Sequence, residues 1–86
     1  MISSAQYSID GTAVKISATS QTPRHVYIHV ESGSIAVNGS SAVTSTTGLL
    51  FDTSAGVVFI EMDSDDELWA IAAGGTHTVS VLTRFL

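Results

Sequence analysis

The chain has 86 residues, a formal net charge of -5 and no cysteine. This length gives one small domain, and the lack of cysteine excludes disulfides, thiolate metal sites and a thiol nucleophile. The basic residues are Lys15, Arg24 and Arg84 alone, so we expect no nucleic-acid partner, since that would need clustered positive charge. Charged residues make up 13% of the chain, and 13 Ser and 10 Thr supply most of its polar surface instead.

The apolar segments are short. The longest run, residues 68–73, is far below the roughly 20 residues that a membrane-spanning helix needs. The N-terminal sequence MISSAQYSIDG lacks the basic and then apolar regions of a secretory signal. We therefore expect a soluble protein with no membrane partner.

Turn residues recur at short intervals along the chain, and runs rich in Val, Ile and Thr alternate with polar residues between them. No window keeps an apolar stripe at helical spacing, so at most one helical turn is expected, near residues 52–55. The pattern predicts an all-β fold: a small antiparallel β-sandwich, jelly-roll-like or barrel-like, of about seven or eight short strands. Nine candidate segments, of which 5–9 is weak and 41–45 is short, cover residues 5–9, 12–18, 24–31, 34–38, 41–45, 48–51, 57–63, 67–73 and 76–84.

We expect residues 1–86 to form a single domain, with residues 1–12 as a flexible or partner-pairing N-terminal arm. The Ser- and Thr-rich segment 38–48 is read as a solvated loop or edge hairpin, with ordering against a partner as the alternative.

Two of the predicted strands are apolar on both faces. In VVFIEMD, alternation puts Val57 and Phe59 on one side and Val58, Ile60 and Met62 on the other. The strand LWAIAA repeats this arrangement from residue 68 onwards, and its Trp69 is read as a core residue. An antiparallel sheet usually shows one face to water, so two apolar faces indicate burial by a second chain, or by a closed barrel or a folded-over loop of the same chain. We favour a homo-oligomer.

The stretch RHVYIHVESG contains the most obvious candidate for chemistry. Alternation puts His25, Tyr27, His29 and Glu31 on one face and the intervening Val and Ile residues on the other. The two histidines are about 13 Å apart along a strand, too far to share one zinc ion. His29 and Glu31 could supply two ligands, with His77 as the remaining histidine. A polar, partly exposed face or an interface is therefore favoured over a metal site, and no cofactor is expected.

Other signals for chemistry are weaker. The acidic segment 63–67 could attract calcium, but it lacks the EF-hand spacing and suits a solvated hairpin loop. No serine lies in a G-x-S-x-G motif, and GGTHT has neither the lysine nor the helix of a phosphate loop. We expect a protein that is not an enzyme. A carbohydrate-binding module that stacks sugars on Trp69 or Tyr27 is a further alternative.

The segment from TSTTGLLFDTSAGVVFIEMD to SDDELWAIAAGGTHTVSVL, about residues 46–82, resembles small virion proteins of tailed bacteriophages. The resemblance consists of an apolar patch, a glycine turn, an apolar strand, an acidic turn, an acidic-Leu-aromatic-Ala-Ile-Ala strand and a final Val-x-Val strand. It implies a β-sandwich or jelly-roll-like module that decorates or cements the capsid, or that sits at the neck or tail.

Together these observations predict a phage capsid decoration, or cement, protein. It would bind the major capsid protein or other virion proteins and stabilise the assembled shell, because a ligand specific for the assembled lattice favours that lattice. We expect it on the capsid surface of the virion, and soluble in the host cytoplasm before assembly. A neck, tail or fibre-attachment module is the alternative. The candidate interface residues are His25, Tyr27, His29, Glu31, Leu68 and Ala70.

Overall fold

The computed structural model describes residues 1–17 and 22–86 and confirms the predicted small antiparallel β-sandwich. No helix in these two ranges is both long and apolar enough to span a membrane. A single 3-10 turn, Thr53–Ala55, lies close to the helical turn expected near residues 52–55. The eight strands in the described ranges are β1 (Ile2–Ile9), β2 (Val14–Lys15), β3 (Arg24–Val30), β4 (Ser34–Asn38), β5 (Leu49–Asp52), β6 (Val57–Met62), β7 (Trp69–Ile71) and β8 (His77–Phe85).

The strands form two four-stranded sheets. The first sheet has the order β1-β8-β3-β6, the second has the order β2-β7-β4-β5, and every neighbouring pair is antiparallel. Residues 10–13 connect β1 to β2, and residues 53–56 connect β5 to β6. These links are short, so each lateral side of the sandwich carries two edge strands, which we call the β1–β2 edge and the β5–β6 edge.

The core lies between the inner faces of the sheets and follows from period-two alternation. On β3, Val26, Ile28 and Val30 are buried, while the residues between them are half-buried on the outer face. The second sheet contributes Ile35 and Phe51, which lie opposite each other on β4 and β5. Each aliphatic side chain removed from water in this way contributes about 1.5–3 kcal/mol before the entropy of folding is subtracted.

Arg24 is a charged residue buried at this core, with only 1% of its surface exposed. Its Nη1 donates to the carbonyl oxygens of Thr22 at 3.4 Å and Asp63 at 3.3 Å, and its Nη2 donates to that of Asp66 at 2.5 Å. Its Nε has no hydrogen-bond partner within the described ranges. The buried guanidinium therefore ties the start of β3 to the acidic turn that follows β6.

Glycine is required at two positions because a neighbouring group lies too close to leave room for a side chain. Gly33 has φ +65°, and a Cβ added there would lie 2.3 Å from the ring of His77. At Gly48 an added Cβ would lie 2.9 Å from the backbone nitrogen of Val37 and 3.0 Å from a methyl carbon of Val43. Any larger residue at either position would have to displace a packed neighbour.

Some predicted boundaries are wrong. Residues 41–45 form turns instead of a strand, although Val43 is buried there. The strand predicted over residues 12–18 is reduced to β2, and residue 18 lies outside the described ranges. Within the segment 1–12, residues 2–9 form β1, which is paired with β8 along its whole length. It is an edge strand, and its other side has no partner strand in the described parts of the chain.

Candidate functional site

The outer face of the first sheet carries an apolar row across three strands. The register places Leu82 of β8 beside Tyr27 of β3, and Tyr27 beside Phe59 of β6. Phe59 is 46% exposed and Leu82 is 39% exposed. The rings of Tyr27 and Phe59 lie 5.1 Å apart at 35°, and His25 meets Phe59 edge-on at 5.1 Å and 86°. These contacts fix a partly exposed aromatic surface in one conformation.

A polar network borders this row. Glu31 Oε1 lies 2.9 Å from His29 Nδ1 and accepts a hydrogen bond from Ser80 Oγ at 3.1 Å. Ser80 Oγ in turn accepts from Gln6 Nε2 at 3.3 Å. The hydrogen bond with His29, followed by that from Ser80, lowers the pKa of the Glu31 carboxyl. Three strands and the residue after β3 are thereby connected at the surface by side chains alone.

Between the apolar row and the polar network the face forms a depression of about 800 Å³ that is open to solvent. Its lining is mostly apolar, and such a shallow surface suits contact with a protein better than enclosure of a small molecule. The side chains around it include Ser4, Gln6, Tyr27, His29, Val57, Ser80 and Leu82.

The structure brings together four of the six predicted interface residues. His25, Tyr27 and His29 point outward from β3, and Glu31 joins them through its contact with His29, in agreement with the alternation of the sequence. The prediction for Leu68 and Ala70 is wrong, because both lie in the core with 7% and 0% of their surface exposed. The sequence correctly indicated apolar residues on both faces of this segment, but Leu68 and Ala70 lie on its inner face.

Side chains that could bind a metal are not clustered in the described ranges. No group of three or more His, Asp or Glu side chains there is placed to hold one ion. His77 Nε2 contacts the carbonyl oxygen of Gly74 at 2.7 Å, and its ring lies against Gly33. The Ser80 hydroxyl donates to the Glu31 carboxylate at 3.1 Å and not to a histidine.

The acidic segment 63–67 is a turn closed by its own groups. Asp66 Oδ2 accepts from the backbone nitrogen of Asp63 at 2.8 Å, and Asp65 takes a positive φ of 70°. The carbonyls of Asp63 and Asp66 face inward to Arg24. The segment is an exposed turn, but the predicted hairpin is wrong, because β6 and β7 belong to different sheets and the turn connects the two sheets.

The sequence predicted Trp69 to be a core residue, and this prediction is wrong. It lies half-buried on the outer face of the second sheet, and its Nε1 donates to Glu67 Oε1 at 2.9 Å. Lys15 Nζ lies 5.9 Å from the ring centroid and 3.6 Å from Glu67 Oε2. The lysine stands over the ring, so the position that a stacked sugar would need is partly taken.

The β5–β6 edge is the feature that sequence reasoning underestimated. Four large apolar side chains lie exposed on its two strands: Leu49 at 67%, Leu50 at 62%, Val57 at 65% and Phe59 at 46%. The sequence showed GLLF as a brief apolar strand, but only the sheet order puts it at an edge beside β6. Leu49 and Leu50 lie on the edge strand of the second sheet, and Val57 and Phe59 lie on the edge strand of the first.

No family model and no curated protein matches the chain. The fold is similar to a solved structure described by the words "Bacillus endospore appendages form a novel family of disulfide-linked pili". The TM-score is 0.61 and the identity is 14%, and the match covers 100% of this chain and 86% of the other. At this identity the likeness concerns the fold alone. The 86 residues contain no cysteine, so they form no disulfide link.

Proposed function

We propose that this chain is a structural assembly protein, specifically a phage capsid decoration protein that docks onto assembled shells through the outer face of its first sheet. The observation that carries the proposal is the exposed row Leu82, Tyr27 and Phe59, with its histidine and glutamate border. Aromatic side chains surrounded by a polar rim are typical of protein-protein interfaces.

The chemistry of the surface agrees with this role. The face is preorganised by ring contacts and by the Glu31 network, so little side-chain freedom is lost when a partner covers it. Binding restricted to the assembled lattice would then stabilise the shell by mass action. The resemblance of residues 46–82 to small virion proteins supplies the capsid as the partner.

The test is to express the chain with the proteins of its neighbouring genes and to ask whether it copurifies with assembled shells. Leu82→Lys should reduce copurification on the order of tenfold, because it puts a charge at the exposed end of the apolar row, next to Tyr27. Thr78→Lys is the matched control, since Thr78 is exposed on the same face of the same strand. Unchanged copurification of Leu82→Lys, or no copurification of the wild type, would contradict the proposal.

A second candidate is a filament subunit, favoured by the pilus-related structure that covers the whole chain. A neck or tail module is the other form that the virion resemblance allows. Electron microscopy separates the three roles: copies spread over a shell support decoration, copies at one vertex support the neck or tail, and free fibres support the filament.

A further inference from the structure

The two edges of the sandwich differ in character. The β5–β6 edge exposes Leu49, Leu50, Val57 and Phe59, and its strands contain no proline and no lysine. Natural edge strands usually carry such residues, or a bulge, to prevent pairing with another chain. An edge with this much exposed apolar surface, whose charged residues are Asp52 and Glu61, is suited to being covered by a strand.

The backbone of β6 is available for that strand. β6 pairs with β3 on one side, and outside this ladder no backbone hydrogen bond involves residues 57–62 in the described parts of the chain. Alternate residues of an edge strand direct their N–H and C=O groups away from the sheet. The chemistry that satisfies them is another extended backbone.

The charges on the edges are complementary. β5 and β6 carry Asp52 and Glu61 and no basic residue. β1 and β2 carry no acidic residue. Lys15 on β2 is already paired with Glu67 at 3.6 Å, so the exposed Arg84, on β8 next to β1, supplies the positive charge. If two copies paired β6 with β6 about a two-fold axis, the interface would contain the carboxylates of both copies and no cation. Pairing the β5–β6 edge of one copy with the β1–β2 edge of the next brings opposite charges together.

The strand directions allow this pairing to repeat. Each sheet has four antiparallel strands, so β1 runs opposite to β6 and β2 runs opposite to β5. A copy shifted sideways without rotation therefore places its β1 antiparallel to β6 of the first copy. Both sheets then continue across the contact with alternating strand direction. Such a contact is heterologous and propagates into a ring or a filament.

From these observations we infer that the partner of the β6 edge is a second copy of this chain, paired head-to-tail through its β1 strand. The inference rests on the proposed assembly function, because it names one partner of that assembly. Ile2, Arg84, His25 and Glu61 already form one row across the first sheet. If that row continues, Glu61 lies opposite Ile2 of the next copy. Arg84 of that copy then lies about 10 Å from Glu61, a distance that the two long side chains can span.

The experiment uses charge reversal in the purified full chain at low salt. Glu61→Arg and Arg84→Glu each give both edges the same sign, so each single variant should associate on the order of tenfold more weakly than the wild type. Mixing the two variants restores opposite signs at every contact and should restore association. Mass is followed by sedimentation velocity from low to high micromolar concentration, with circular dichroism to verify that both variants are folded.

The wild type should grow beyond a dimer as concentration rises. Val57→Lys, a charge on the exposed β6 edge, should stop that growth, whereas Thr78→Lys should leave it unchanged. A wild type that stays monomeric, a closed dimer, or a mixture that associates no better than its components would overturn the inference. Docking to shells is a separate result. Loss of docking in Leu82→Lys bears on the proposed function, and docking that persists in Val57→Lys does not count as support for the edge pairing.

Discussion

Replacing Arg24 with methionine tests whether a buried cation holds the two sheets together at the acidic turn. Methionine keeps an unbranched apolar stem but removes three hydrogen bonds to carbonyl oxygens, of which the one to Asp66 at 2.5 Å is the shortest. A hydrogen bond from a charged donor contributes about 1.5–3 kcal/mol. The two longer bonds add little, and removal of a buried charge with an unpartnered Nε offsets part of the loss.

We therefore expect Arg24→Met to lower the free energy of unfolding by about 2 kcal/mol, a large share of the stability of a domain this small. The midpoint of thermal unfolding should fall by roughly 8–16 °C. Urea titration followed by Trp69 fluorescence and thermal melting measure the two quantities. Arg84→Met is the control, because Arg84 is exposed and its loss should change stability by less than about 0.5 kcal/mol. An Arg24→Met variant as stable as the wild type would refute the role assigned to the guanidinium.

Two further predictions follow from local geometry. Gly33→Ala should destabilise the fold by about 2–3 kcal/mol, since it combines a positive φ with a clash against His77. Adding His77→Ala should recover the steric part of this loss. If the effects of the two substitutions on the free energy of unfolding are strictly additive, the double-mutant cycle contradicts that reasoning. Ser80→Ala should raise the pKa of Glu31 toward its usual value, measured by NMR titration of the carboxyl carbon. Because folding lowers the pKa of Glu31, its stabilising contribution is present above the usual carboxyl range and is lost as pH falls through the lowered pKa.

The alternation of polar and apolar residues was sufficient to predict the faces of individual strands. Val26, Ile28 and Val30 are buried as expected, and His25, Tyr27 and His29 lie on the opposite face, because a strand has a fixed period of two. The same reasoning separated Val57 and Phe59 from the inner residues of β6. It failed at residues 41–45, where Val and Thr have high strand propensity but backbone and side-chain hydrogen bonds among the Ser and Thr residues close turns instead.

The sequence by itself therefore determined the fold class, the turns and the two faces of the main strands, all of which depend on local spacing. The tertiary structure decided which strands are edges, that Leu68 and Ala70 are buried, and that Arg24 reaches the acidic turn. These facts depend on pairing between segments that are distant in sequence, as for β1 with β8, and no local pattern encodes that choice. The apolar β5–β6 edge belongs to this second group: its residues are visible in the sequence, but their exposure depends on the order of strands in the sheets.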